Sequence, residues 1–130
     1  REEGPDVTPV VLDSSAWVEF FSDGPKAERV RPYLSAPTES VLVPAVVAYE
    51  VYKKALAGFS AETARVVAGR LAQCPCVELD REGAFLAAEL STAHRLAMAD
   101  AMVLAVARAY GVELVTLDSD FKNLPGVRLL

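Results

Sequence analysis

Short apolar segments alternate with longer segments of helical periodicity along almost the whole chain. No hairpin turn joins two of the apolar segments, so the strands must be connected through helices. This order predicts an α/β fold on a mostly parallel central sheet. The predicted strands are residues 10–12, 41–43, 76–79, 113–117 and 127–130. The predicted helices are residues 26–34, 45–57, 60–73, 81–93 and 97–110, together with one that starts at Ser14 or Ser15 and continues through Phe21.

The length of the chain fits a single domain. At 130 residues, one hydrophobic core can bury about two thirds of the surface of the unfolded chain. Residues 1–9 are polar and contain Gly4, Pro5 and Pro9, so we expect a flexible N-terminal arm before one domain over residues 10–130. Because 52% of the residues are hydrophobic, we also expect part of the surface to be covered by another chain.

Composition and charge exclude several classes of function. The longest uninterrupted apolar run, residues 101–107, is too short to cross a bilayer, and we expect a cytoplasmic protein with no membrane partner. The net charge of −5 does not favour non-specific binding to nucleic acid through a basic surface. Cys74 and Cys76 are too close for an unstrained disulfide and lack further zinc ligands, so both are predicted to be free thiols.

Four carboxylates occupy positions that a parallel sheet brings to one edge. Asp13 directly follows the first predicted strand, and Asp118 directly follows the fourth. Glu50 lies in the helix after the second strand, and Asp100 lies in a late helix. Ligands of open parallel sheets bind outside the carboxyl ends of the strands. We therefore expect these four side chains to lie close together.

The surroundings of Asp100 suggest what this group of carboxylates does. At helical spacing its neighbours are the apolar residues Leu96, Val103, Leu104 and Ala107, and no lysine or arginine is available there. Buried carboxylates without cations must share either protons or a metal ion. An all-oxygen ligand set suits Mg²⁺ or Mn²⁺ rather than zinc. The chemistry that this predicts is metal-assisted hydrolysis of a phosphodiester.

Each carboxylate also has a purely structural interpretation. Asp13 could cap the helix that follows it, although Ser14 or Ser15 is predicted to do so. Glu50 could form a surface ion pair with one of the lysines three and four residues further on. Asp118 and the aspartate two residues later could be ordinary turn residues. Asp100 has no comparable structural role, because its apolar neighbours offer it no partner.

Taken together, these motifs resemble a known family. They are the strand ending in Asp13-Ser-Ser, Glu50 after Val-Pro-Ala-Val-Val-Ala-Tyr, Ala-Asp100-Ala-Met-Val-Leu-Ala, and Leu-Val-Thr116-Leu-Asp118-Ser-Asp-Phe. In order and spacing they are similar to PIN-domain ribonucleases, in particular the VapC-type toxins of bacterial and archaeal toxin–antitoxin pairs. The resemblance covers residues 10–130. It implies a PIN-like fold in which the parallel sheet has helices on both faces.

The resemblance also implies roles for individual residues. The acidic catalytic residues would be Asp13, Glu50, Asp100 and Asp118. Of these, Asp13, Asp100 and Asp118 would bind Mg²⁺ or Mn²⁺. The residues that would support them by orienting carboxylates or water are Ser14, Thr116 and Asp120, and whether Asp120 also contacts the metal stays open.

The function implied is that of a metal-dependent endoribonuclease acting as a toxin. It would hydrolyse RNA phosphodiester bonds, form a homodimer and be neutralised by a cognate antitoxin protein. Two alternatives keep the same fold: a housekeeping RNA-processing nuclease, and a binding module that has lost catalysis. A phosphorylated receiver and an aspartate-nucleophile phosphatase are disfavoured, because Leu12 and Ser15 occupy the places where these classes need a second acid.

Overall fold

The computed structural model describes residues 8–130, so most of the predicted N-terminal arm lies outside the described residues. The strands are β1 (Val10–Leu12), β2 (Val41–Pro44), β3 (Cys76–Val77), β4 (Glu113–Thr116) and β5 (Val127–Leu129). The α-helices are α1 (Ser14–Phe21), α2 (Ala27–Leu34), α3 (Ala45–Gly58), α4 (Ala61–Gln73), α5 (Arg81–His94) and α6 (Met98–Ala109). Two short 3-10 helices are Thr38–Ser40 and Ser119–Phe121.

The strands form one parallel sheet in the order β3-β2-β1-β4-β5. In the centre, Val10 of β1 pairs with Val41 of β2 on one side and with Glu113 of β4 on the other. The chain thus adds β2 and β3 on one side of β1 and then adds β4 and β5 on the other side. Because crossovers between parallel strands are almost always right-handed, building the sheet in these two directions places helices on opposite faces. The predicted α/β fold with a parallel sheet is confirmed.

The hydrophobic core surrounds the central strands and the late helix α6. Val11 and Leu12 of β1 are completely buried, as is Trp17 on the first helix. Five consecutive residues of α6, from Val103 to Ala107, are buried as well. Because α6 packs against β1, β4 and α5, the fold fixes its first turn, which carries Asp100, with little freedom relative to the strand ends.

The local predictions near β1 and β3 need correction. The residue at the cap position of α1 is Asp13, while Ser14 and Ser15 belong to the first helical turn, so the prediction that one of the serines caps this helix is wrong. The Asp13 side chain makes no capping hydrogen bond. The third strand has two residues instead of four. The predicted cap of α4 is confirmed, because the Ser60 hydroxyl accepts a hydrogen bond from the Thr63 N–H at 3.1 Å.

Candidate active site

Asp13 is held at the end of β1 by two hydroxyl groups. The side chain is 3% exposed, and its Oδ2 accepts hydrogen bonds from Thr116 Oγ1 at 2.8 Å and from Ser15 Oγ at 3.0 Å. Burial raises the pKa of Asp13, and these two hydrogen bonds act against that rise. The carboxylate is therefore oriented by donors that belong to the protein itself.

The same two hydroxyls join the ends of β1 and β4. Ser15 Oγ accepts a hydrogen bond from the Leu117 N–H at 3.1 Å, and Thr116 Oγ1 accepts one from the Asp118 N–H at 2.9 Å. Each hydroxyl thus donates to Asp13 and accepts from the backbone that leads to Asp118. Thr116 was predicted to support the site, whereas Ser15 was not singled out. Ser14, which was also predicted to support the site, lines the same cleft.

Asp118 begins the 3-10 helix Ser119–Phe121, and its Oδ1 accepts a hydrogen bond from the Asp120 N–H at 2.9 Å. This tight turn brings Asp120 back toward Asp118. One carboxylate oxygen from each of Asp100, Asp118 and Asp120 lies within 4.8 Å of the other two. The geometry thus groups Asp120, predicted as a supporting residue whose contact with the metal was left open, with two of the predicted metal ligands. Asp13 is not a member of this group of three.

All four predicted catalytic carboxylates line one cleft of about 280 Å³ outside the carboxyl ends of β1 and β4. The cleft is where the strand order reverses direction, which is the expected ligand position in an open parallel sheet. Its lining residues are Asp13, Ser14, Ser15, Val18, Glu19, Glu50, Lys54, Asp100 and Asp118.

Asp100 is surrounded by like charges. Burial raises its pKa from the ordinary value of 3.8 to about 6, and the negative charges of Asp13, Asp118, Glu50 and Asp120 add to the rise. Within residues 8–130, no salt bridge involves any of these five carboxylates. The deprotonated form of Asp100 therefore lacks a compensating cation from the described part of the chain.

Glu50 reaches the cleft from α3. Burial raises its pKa, a hydrogen bond from Ser14 opposes the rise, and the charge of Asp13 adds to it. The positive charge of Lys54 opposes the rise as well, but Glu50 forms no salt bridge with either Lys53 or Lys54. The alternative interpretation of Glu50 as half of a surface ion pair is therefore not supported by the geometry.

The residues present fit a small divalent cation. Asp100, Asp118 and Asp120 offer only carboxylate oxygen atoms, and one oxygen of each lies within 4.8 Å of the other two. Hard oxygen ligands of this kind suit Mg²⁺ or Mn²⁺. A cation here would offset the charge repulsion that, in addition to burial, raises the pKa of Asp100.

A model of the PIN domain family matches residues 10–127. The chain belongs to the PIN-domain family. The match spans the sheet from β1 to the start of β5 and includes every residue of the cleft. The family predicted from the four motifs is thereby confirmed.

Solved structures support the same fold. A toxin–antitoxin complex from Klebsiella pneumoniae has a TM-score of 0.78 at 20% identity, covering 93% of this chain and 96% of that chain. VapC20 of Mycobacterium tuberculosis, described as a toxin that cleaves the sarcin-ricin loop, has a TM-score of 0.73 at 20% identity, covering 91% and 96%. VapBC2 from Rickettsia felis, bound to a DNA fragment from its promoter, gives 0.73 at 18% identity, covering 95% and 98%.

Comparison with curated proteins by sequence gives no significant match. Within residues 8–130 of this PIN domain, no helix is long and apolar enough to cross a membrane.

Proposed function

We propose that this PIN domain is a divalent-metal-dependent endoribonuclease that acts as the toxin of a toxin–antitoxin pair. The observation that carries the proposal is the position of Asp100, which lies among four other carboxylates with no salt-bridge partner in the described chain. A fold gains no stability from such an arrangement unless a cation is bound there. The structural neighbours described as toxins support the toxin role.

The proposed metal ligands are Asp13, Asp100 and Asp118, with Asp120 close enough to join them. Mg²⁺ or Mn²⁺ bound there would stabilise charge on the phosphodiester and activate water for hydrolysis. The hydroxyls of Ser15 and Thr116 would keep Asp13 oriented toward the cleft. We assign Glu50, whose pKa burial raises, to accept a proton from the attacking water at its carboxylate.

The proposed partners are an antitoxin and a second copy of the chain. An apolar groove of about 730 Å³ lies between α3, α4 and β3, and Tyr49 and Leu56 on its wall are 63% and 62% exposed. We assign this groove to the antitoxin, because it is separated from the cleft only by α3. A second apolar surface lies between α5 and α6, where Met98 is 72% exposed, and we assign it to a homodimer.

A housekeeping nuclease without an antitoxin is the main alternative within this chemistry, and an inactive binding module is the other. RNA cleavage by the purified protein, measured alone and with the protein product of any adjacent small gene, distinguishes a toxin from a housekeeping nuclease. Only a toxin is inhibited by that product. We place the protein in the cytoplasm, where its RNA substrates would be found.

The experiment that tests the nuclease is cleavage of mixed RNA by purified protein with Mg²⁺, with Mn²⁺ and with EDTA. The matched control is the double variant Asp13→Asn with Asp100→Asn, purified in the same way to reveal contaminating nuclease. Cleavage that needs metal and is lost in the double variant supports the proposal. No binding of Mg²⁺ or Mn²⁺ by calorimetry, together with no cleavage, would support the binding module instead.

A further inference from the structure

Lys54 is the only cationic side chain, among residues 8–130, that lines the acidic cleft. It lies one helical turn after Glu50 on α3, so both side chains are on the same face of that helix. The other charged groups in the lining are carboxylates: Asp13, Glu19, Glu50, Asp100 and Asp118. Among the described residues that line the cleft, Lys54 therefore supplies one positive charge beside five carboxylates.

Lys54 is not committed to a structural contact. It is exposed, and within the described residues its ammonium group forms neither a salt bridge nor a side-chain hydrogen bond. A lysine that served only to neutralise Glu50 would be expected within salt-bridge distance of it, and it is not. The ammonium group is thus available to a ligand that enters the cleft.

The neighbouring lysine provides an internal comparison. Lys53 points along the other side of α3, where its Nζ lies 5.6 Å from the centre of the Tyr49 ring and away from the cleft. The two lysines carry the same charge and occupy adjacent positions on the same helix. They lie on different sides of α3, because Lys54 lines the acidic cleft and Lys53 lines the apolar groove.

An RNA strand in the cleft needs such a cation. The chain carries a net charge of −5, and a polyanion next to several carboxylates is repelled even when some of their charge is neutralised. Phosphate contacts by lysine position a strand without reading its sequence. We propose that Lys54 binds a backbone phosphate of the RNA strand beside the bond that is cut, an inference that rests on the proposed nuclease function.

The test measures RNA binding separately from cleavage. A labelled single-stranded RNA of mixed sequence is titrated, in Mg²⁺, with the Asp100→Asn protein and with the same protein carrying Lys54→Met, Lys54→Arg or Lys53→Met. Lys54→Met should raise the Kd roughly two- to fivefold at low salt. It should also reduce the slope of log Kd against log salt by about 0.7, as expected for one lost phosphate contact on a single strand. Lys54→Arg should retain most of the affinity, and Lys53→Met should keep both quantities unchanged.

Two outcomes would overturn the assignment while leaving the nuclease intact. One is an equal loss of affinity in Lys54→Met and Lys53→Met, which indicates a general charge effect. The other is an unchanged Kd and salt slope in Lys54→Met, together with a displaced pH profile of cleavage when Lys54→Met is made alone in the wild-type protein, which indicates action through Glu50 alone. If the wild type instead cleaves no RNA with either metal and the Asp100→Asn protein binds none, the proposed function itself fails and the role of Lys54 falls with it.

Discussion

Two carboxylates that line the cleft, Asp13 and Asp100, are held in opposite ways. Asp13 is buried at a strand end and accepts hydrogen bonds from two hydroxyls that also join the ends of β1 and β4. Asp100, in the first turn of α6, accepts no hydrogen bond from another residue within residues 8–130 and is surrounded by like charges. Asp13 is therefore a carboxylate that the fold stabilises through hydrogen bonds, whereas Asp100 has no such stabilising contact among the described residues. No structural role in the described chain explains an acidic residue at position 100.

The largest expected effect is that of Asp100→Asn on cleavage. Removing a metal ligand should reduce kcat/KM by about 100-fold or more, since even residues that only support metal ligands cost 10- to 100-fold. In EDTA the same substitution should leave the melting temperature unchanged or raised, because it removes a charge from a crowded group. Cleavage assays and thermal unfolding with and without metal measure both quantities. A large fall in melting temperature in EDTA would show that Asp100 has a structural partner after all.

Thr116→Val should behave in the opposite manner. The substitution removes a donor to Asp13 and the acceptor of the Asp118 N–H while keeping the shape of the side chain. Because Thr116 is completely buried, no water replaces these bonds, and we expect a loss of about 1–3 kcal/mol in the free energy of unfolding. Urea unfolding in EDTA measures it. The matched control is Thr92→Val on the exposed surface of α5, which should change stability by less than about 0.5 kcal/mol.

Asp100 also predicts a pH dependence of stability in the absence of metal. Its pKa is about 6 in the folded protein against an ordinary value of 3.8, so the folded state binds this proton more tightly than the unfolded state. The stabilisation is complete below about pH 4 and is lost as the pH rises through 6. After allowance for solvent screening, the loss amounts to about 1–2 kcal/mol.

Urea unfolding of the wild type and of Asp100→Asn between pH 4 and 7.5 measures the contribution of Asp100 together with its coupling to the neighbouring carboxylates. The wild type should lose more stability with rising pH than the variant. Saturating Mg²⁺ should remove the difference in slope, because the metal binds the deprotonated carboxylate. Parallel curves for the two proteins in EDTA would mean that Asp100 is not crowded by charge in solution.

The sequence predicts the frame of this site better than its details. The apolar neighbours of Asp100 and the positions of Asp13 and Asp118 after strands were readable as patterns, and the fold brings these residues to one cleft. The role of Ser15 could not be predicted from the sequence. Adjacent residues of a helix point about 100° apart, so a shift of one residue in the start of α1 changes which serine reaches the strand ends. Periodicity locates such a helix boundary only approximately. The approach of Asp120 likewise depends on the 3-10 turn after Asp118.

The smallest expected effect concerns Asp120, which tests how far the crowded group extends. Asp120 is exposed and its backbone N–H, rather than its side chain, bonds to Asp118. If its carboxylate completes the group with Asp100 and Asp118, Asp120→Asn should weaken Mg²⁺ binding by roughly three- to tenfold, well below the effect of Asp100→Asn. Isothermal titration with Mg²⁺ compares the two variants with Asp80→Asn, a control that keeps a capping residue at the start of α5. Equal Mg²⁺ affinity in Asp120→Asn and the control would restrict the metal ligands to the cleft carboxylates, and Asp13 would then be the third ligand beside Asp100 and Asp118.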